Sequence, residues 1–143
     1  MRRMMLVGRI GSGKTTLIQA LLDREKSYRK TQAIDFQERY VDTPGEFLEH
    51  RRFFSALRAS AGGCEAVSLI QSAADRTSAY PPNFSAMFNK PVFGVITKTD
   101  RPDADIERAD RFLRRAGIER IYRTSALVGE GIEELRSAAE AGR

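Results

Sequence analysis

The sequence predicts an α/β fold: a three-layer sandwich with helices on both faces of a mostly parallel, six-stranded sheet. Three observations predict it. Short apolar or β-branched runs alternate with longer stretches of helical periodicity along the whole chain. The first apolar run, Met4-Met5-Leu6-Val7, passes through a glycine-rich turn directly into a helical pattern. Later runs end in short polar tetrapeptides, as the carboxyl ends of parallel strands do where they face a ligand. Strands are expected at Met4–Val7, Ala33–Phe36, Arg39–Asp42, Ala66–Gln71, Val92–Thr97 and Arg120–Arg123.

The helices follow from spacing. Leu17, Leu21 and Leu22 mark one after the glycine-rich turn. Phe47, Leu48, Phe53, Phe54 and Leu57 mark a second, which Gly62-Gly63 ends. A third is expected near Phe84–Phe88. A fourth runs from Asp103 to Ala116, with acidic residues in its first turns and arginine in its last. The last runs from about Gly131 to Ala139. Asp23 to Lys30 is polar and aperiodic, and reads as a loop. With 143 residues and no linker, the chain is expected to be one domain over residues 1–143.

Composition excludes several classes. Lys and Arg number 24 against 19 Asp and Glu, a net charge of +5, but the arginines are scattered rather than gathered. They read as solvated surface, and no nucleic-acid or membrane partner is expected. Cys64 is the single cysteine, so neither an intrachain disulfide nor a cysteine-rich zinc site can form. No apolar run reaches the length of a membrane span, and the one behind Met1-Arg2-Arg3 is too short for a signal peptide. The expectation is a cytoplasmic protein.

Gly8-Arg9-Ile10-Gly11-Ser12-Gly13-Lys14-Thr15 carries the chemistry. Gly, four residues, Gly-Lys-Thr between a strand and a helix is a P-loop. Its backbone N–H groups and the helix N-terminus cradle phosphates, and Gly11 and Gly13 permit the required turns. Lys14 is expected at the β- and γ-phosphates, Thr15 on Mg2+, and Gly8, Ser12 and Thr16 around the nucleotide. Asp42 in Asp42-Thr43-Pro44-Gly45 ends a strand where a carboxylate can hold Mg2+ through water, and the Gly45 amide can reach the γ-phosphate. Thr97-Lys98-Thr99-Asp100 ends another. Asp100 can accept from guanine N1–H and the exocyclic amine, and the stem of Lys98 can lie on the base. Adenine would leave that carboxylate unpaired. Ser125 and Ala126 end the next strand, where backbone amides can meet the guanine carbonyl. The cofactors expected are GTP or GDP with Mg2+, ATP being the other nucleotide considered.

This order of motifs is that of small GTP-binding proteins. The chain resembles the EutP/PduV family of small P-loop GTPase-like proteins, through Gly13-Lys14-Thr15-Thr16-Leu17, Arg29-Lys30-Thr31-Gln32-Ala33, Asp42-Thr43-Pro44-Gly45-Glu46 and Ile96-Thr97-Lys98-Thr99-Asp100. Pro81-Pro82 with Met87-Phe88-Asn89-Lys90-Pro91 adds to the resemblance. It implies that Thr31 is the switch threonine that meets Mg2+ and the γ-phosphate. It also implies a role in ethanolamine or propanediol utilisation, in a bacterium, beside a microcompartment whose shell or enzymes would be the partner.

The residues predict slow hydrolysis. Glu46 stands where fast relatives often carry Gln; it reads equally as a base for water or as a solvated first-turn glutamate. Ile10 would crowd an arginine supplied from outside. Arg29, two residues before Thr31, is placed like an arginine finger in cis or is a solvated loop residue. Two other functions remain open. One is a kinase passing the γ-phosphoryl to a small acid such as acetate, with His50-Arg51-Arg52 as the only hint of an acceptor pocket. The other is a tether whose nucleotide is structural.

Overall fold

In the computed structural model, which describes residues 2–28 and 39–141, five strands form one sheet in the order β2-β1-β3-β4-β5. These are β1 (Met4–Val7), β2 (Tyr40–Asp42), β3 (Ala66–Ser72), β4 (Val92–Thr97) and β5 (Ile121–Arg123), and every pairing is parallel. Ala33–Phe36, the expected sixth strand, lies outside the described residues. The helices are α1 (Lys14–Tyr28), α2 (Phe54–Ala61), α3 (Ile106–Arg115) and α4 (Ile132–Ala141).

Helices cover both faces of the sheet, so the strands read as unbroken apolar runs. The pleat sends Met5 and Val7 to one face and Met4 and Leu6 to the other. The first pair packs with Leu57 and Ala61 of α2 and Ala109 and Leu113 of α3. The second packs with Leu17 and Leu21 of α1 and Ile132 and Leu135 of α4. The strand order reverses direction at β1, so the crevice between β1 and β3 at their carboxyl ends is the natural ligand position. The glycine-rich turn opens there.

Four sequence expectations are corrected. The polar stretch from Asp23 is helical as far as Tyr28, because α1 continues to that residue. Three contacts that the apolar pattern does not show hold it. Gln19 donates to Asp23 Oδ1 at 3.0 Å, one turn on, and Glu25, fully buried, meets Arg136 of α4 at 3.2 Å and Arg39 at 3.5 Å. The helix expected from Phe47 through Leu57 is broken into 3-10 turns at Gly45–Leu48 and Arg51–Phe53 before α2 begins. His50 is extended between them, and the break lets Phe47 stack on Phe53 at 4.9 Å. Phe84–Met87 is a 3-10 turn rather than an α-helix, entered through a left-handed Asn83. α3 starts later than expected, at Ile106, where the Asp105 carboxylate accepts from Arg108 N and caps the helix.

Gly131 joins the loop after β5 to α4 with φ +73°, and a Cβ there would overlap the Arg123 carbonyl. Backbone cannot give way as a side chain can. Gly131→Ala is therefore expected to destabilise the fold by about 2–4 kcal/mol, read as a lower denaturant midpoint at unchanged slope.

Candidate functional site

All the sequence-predicted motifs within the described residues lie at the carboxyl edge of the sheet. The glycine-rich turn leaves β1, Asp42 ends β2, Thr97–Asp100 follow β4 and Ser125-Ala126 follow β5. Two adjoining cavities open there. One, of about 400 Å3, is lined by Arg9, Ile10, Gly11, Gly13, Lys14, Thr15, Thr16, Gly45 and Lys98. The other, of about 260 Å3, is lined by residues that include Gly13, Thr16, Thr97, Lys98, Asp100, Ala126 and Leu127. Gly13, Thr16 and Lys98 belong to both, so the cavities form one continuous cleft.

The first cavity is formed by the glycine-rich turn, the start of α1 and Lys14. Lys14 is buried and forms an ion pair with Asp42, whose side chain is 47% exposed. The hydroxyl of Ser12 is buried without a partner, and a Cβ on Gly8 would lie 2.7 Å from it. Thr15 and Thr16 are exposed at the start of α1, whose register begins with Leu17 N donating to Gly13 O at 2.8 Å. The turn after Asp42 lies against the P-loop: a Cβ on Gly45 would come within 2.6 Å of Ile10 N. Glu46, next in line, is exposed, and Ile10 is 72% exposed at the cavity rim. One carboxylate and one hydroxyl beside the glycine-rich turn are the kind of hard oxygen donors Mg2+ takes, so the chemistry of Thr15 and Asp42 would fit that ion. Arg29 and Thr31 lie outside the described residues.

The two cavities are fixed to each other by the Thr97–Asp100 tetrapeptide. Thr97 Oγ1 donates to Ser12 O at 2.5 Å, and Lys98 Nζ donates to Gly11 O at 2.7 Å. Lys98 is left-handed, with φ +61°, a conformation costly for a residue with a Cβ. Its long side chain thereby spans from the second cavity to the P-loop. Asp100 Oδ1 accepts from Ser125 Oγ at 2.7 Å, and Ser125 is fully buried, so the carboxylate is held from behind. The Ser125 amide is engaged with Glu130 O at 3.0 Å, which corrects one expectation.

Sequence reasoning did not single out several lining residues, Leu127, Arg101 and Arg9 among them. Leu127, 82% exposed at the second cavity, follows the Ser125-Ala126 pair and could have been found from it. Arg9 carried no signal, because its partners lie more than sixty residues away. His50, Arg51 and Arg52 line neither cavity; the Arg52 guanidinium lies over the Phe53 ring instead. Among the described residues no cluster of His, Cys, Asp and Glu could hold a metal ion by itself, and no helix is long and apolar enough to cross a membrane.

The chain is similar to known proteins over most of its length. The PduV-EutP family model, described as ethanolamine utilisation – propanediol utilisation, matches residues 1–141. The propanediol utilization protein PduV of Citrobacter freundii is 38% identical over 136 residues, covering 94% of this chain and 91% of that protein. The probable acetate kinase EutP of Escherichia coli K12 is 36% identical over 121 residues, 83% of this chain and 76% of its own. A weaker similarity, 29% over 120 residues, reaches translation initiation factor IF-2 of Rickettsia bellii, covering 72% of this chain but 14% of the factor. What is shared there is a part of that protein. The chain belongs to the PduV–EutP family of ethanolamine and propanediol utilisation proteins.

Proposed function

We propose that this chain binds a guanine nucleotide with Mg2+ along the joined cleft and acts as a nucleotide-dependent switch with slow GTP hydrolysis. The observation that carries the reading is the bridge made by Lys98. It joins an anion pocket containing Lys14 to a base-sized pocket containing an oriented carboxylate, Asp100. Phosphates would meet Lys14, Ser12 and the amides of Gly11, Gly13 and Thr16. Mg2+ would be held by Thr15 and by Asp42 once Lys14 turns to the phosphates, with Thr31 completing the set. Bound there, the ion would neutralise charge on the β- and γ-phosphates.

Slow hydrolysis follows from what surrounds the γ-phosphate position. Glu46 accepts but does not donate, Ile10 occupies the approach, and the Arg9 guanidinium is engaged elsewhere, with Asp75 and Thr77. Without an arginine finger this chemistry runs at about 10⁻⁴ per second. Arg29 is the candidate finger in cis. Turnover unchanged by Arg29→Ala, or fast in its absence, would remove that role.

A second reading, phosphoryl transfer to a small carboxylic acid, is favoured by the name of the EutP relative. Its proposed acceptor cluster, His50-Arg51-Arg52, is not part of either cavity. The deciding experiment titrates GDP, GTP, ADP and ATP with Mg2+, then follows products with acetate present. Guanine preference with inorganic phosphate as product supports the switch. Acyl phosphate formed in proportion to nucleotide consumed would put the kinase in its place. Within the switch reading, the partner is a microcompartment shell or enzyme protein in the cytoplasm, to be sought by co-purification in the GTP and GDP states.

Gly45 supplies a further check. Because Gly45 lies against Ile10, Gly45→Ala pushes the turn off the P-loop and takes its amide away from the γ-phosphate position. GTP affinity is expected to fall about tenfold, the loss of one charge-assisted hydrogen bond, while GDP affinity holds. Equal losses for both would place the effect in the P-loop itself.

A further inference from the structure

A P-loop arginine that lines a phosphate cavity would be expected to point at the anion. Arg9 does not. Its Nη1 donates to Asp75 Oδ2 at 2.7 Å and to Thr77 Oγ1 at 2.7 Å, and its Nη2 donates to Ser78 O at 2.6 Å. These acceptors belong to the segment that leaves β3, on the far side of the β1/β3 crevice.

That segment is ordered before Arg9 is counted. Thr77 N and Thr77 Oγ1 both donate to Asp75 Oδ1, at 3.1 and 3.2 Å. Gln71, buried in β3, accepts from Ala79 N at 3.1 Å and donates to Thr77 O at 3.2 Å. The buried Tyr80 hydroxyl lies 2.6 Å from Ile70 O and 2.9 Å from Val7 O, tying the segment to β3 and to the last residue of β1. Burial alone would raise the Asp75 carboxyl, but the Thr77 amide and the Arg9 guanidinium outweigh it and hold it below the usual range. The receptor is built, and Arg9 docks into it.

We propose that Arg9 and Asp75 are a positioning pair that fixes the phosphate loop in its nucleotide-binding form, with residues 72–80 as the brace. The proposal rests on the nucleotide reading of the cleft. The physical need is clear from composition: Gly8, Gly11 and Gly13 make the loop unusually costly to order. A two-pronged guanidinium anchored to a rigid segment removes part of that cost before a nucleotide arrives. The same tie makes the 75–78 segment respond to what the loop binds.

The test uses Arg9→Ala, Asp75→Ala, the double variant, and the charge-reversed Arg9→Asp/Asp75→Arg chain. Hydrogen exchange at amides 9–14 is read in the nucleotide-free protein, beside thermal unfolding and titration with fluorescent GDP. Expected are faster exchange at 9–14 with little change in unfolding temperature, and about tenfold weaker GDP binding for each single variant. The double variant should be no worse than either single, and charge reversal should restore part of the loss. Unchanged exchange, additive losses, or a loss with Arg9→Ala but not Asp75→Ala would overturn the pair, the last by placing Arg9 on the phosphates. Absence of GDP binding by the unaltered chain would overturn the nucleotide reading instead, and the exchange measurement would still decide the pair.

Discussion

Lys14→Ala should abolish useful nucleotide binding while leaving the protein folded. In the free chain the ammonium of Lys14 lies in the anion pocket, paired with Asp42. Under the nucleotide reading it moves to the β- and γ-phosphates, making two charge-assisted hydrogen bonds. Each contributes about 1.5–3 kcal/mol, so their joint loss is about a hundredfold or more in affinity. The structural cost is far smaller. Asp42 is about half exposed and water replaces its partner, so the pair contributes about 1 kcal/mol or less to folding. Titration calorimetry with GDP and Mg2+, set beside a thermal melt, separates the two effects. A variant that binds GDP as the unaltered chain does would remove Lys14 from the site. One that melts many degrees lower would mean its ion pair is structural. A variant that loses nucleotide yet still co-purifies with its partner would favour the tether.

The P-loop and its flanking elements were legible because their causes are local. Met4–Val7 is a strand with the bounds expected, since four consecutive apolar residues, too few for a helix and stopped by Gly8, suit a strand covered on both faces. Asp42, Thr97, Asp100 and Ser125 fell at strand ends for the same reason: apolar runs stop where the chain meets water and ligand. The failures have non-local causes. Asp23–Tyr28 looked like a loop because its helical support is Glu25 reaching Arg136, more than a hundred residues away. The turn after Gly45 reads as helical because Phe47 and Phe54, and Phe53 and Leu57, have helical spacing, yet Phe47 stacks on Phe53 across an extended His50. Arg9 was invisible for a third reason. Its partners are an ordinary Asp-Arg-Thr-Ser turn, and nothing in either stretch announces the other. Charge pairing across a crevice between parallel strands has no sequence period.

Asp100→Asn should change which base the cleft prefers rather than simply weaken it. The buried Ser125 hydroxyl accepts from Val128 N and donates to Asp100 Oδ1, so it presents a donor to whatever side chain stands at position 100. An asparagine there would turn its amide oxygen toward Ser125 and its NH2 toward the base. Guanine presents N1–H and an exocyclic amine, so the amide NH2 would meet another donor, and the charge on the second bond would be gone. The expected loss for GDP is about 2–4 kcal/mol, or about thirty- to a thousandfold. Xanthine carries a carbonyl where guanine carries the amine, which the asparagine NH2 can satisfy. The variant should therefore bind xanthosine diphosphate better than GDP, the reverse of the unaltered chain. Lys98 still reaches Gly11 O, so the phosphate half of the cleft is undisturbed and the change should appear only in base choice. Competition titrations with GDP, xanthosine diphosphate, inosine diphosphate and ADP measure it. Inosine lacks the exocyclic amine and should lose one bond in the unaltered chain and little more in the variant. If the variant lost all four diphosphates equally, Asp100 would be holding the loop through Ser125 rather than reading the base. If the unaltered chain preferred ADP, the guanine reading would fail, and phosphoryl transfer to a small acid would become the leading account of the cleft.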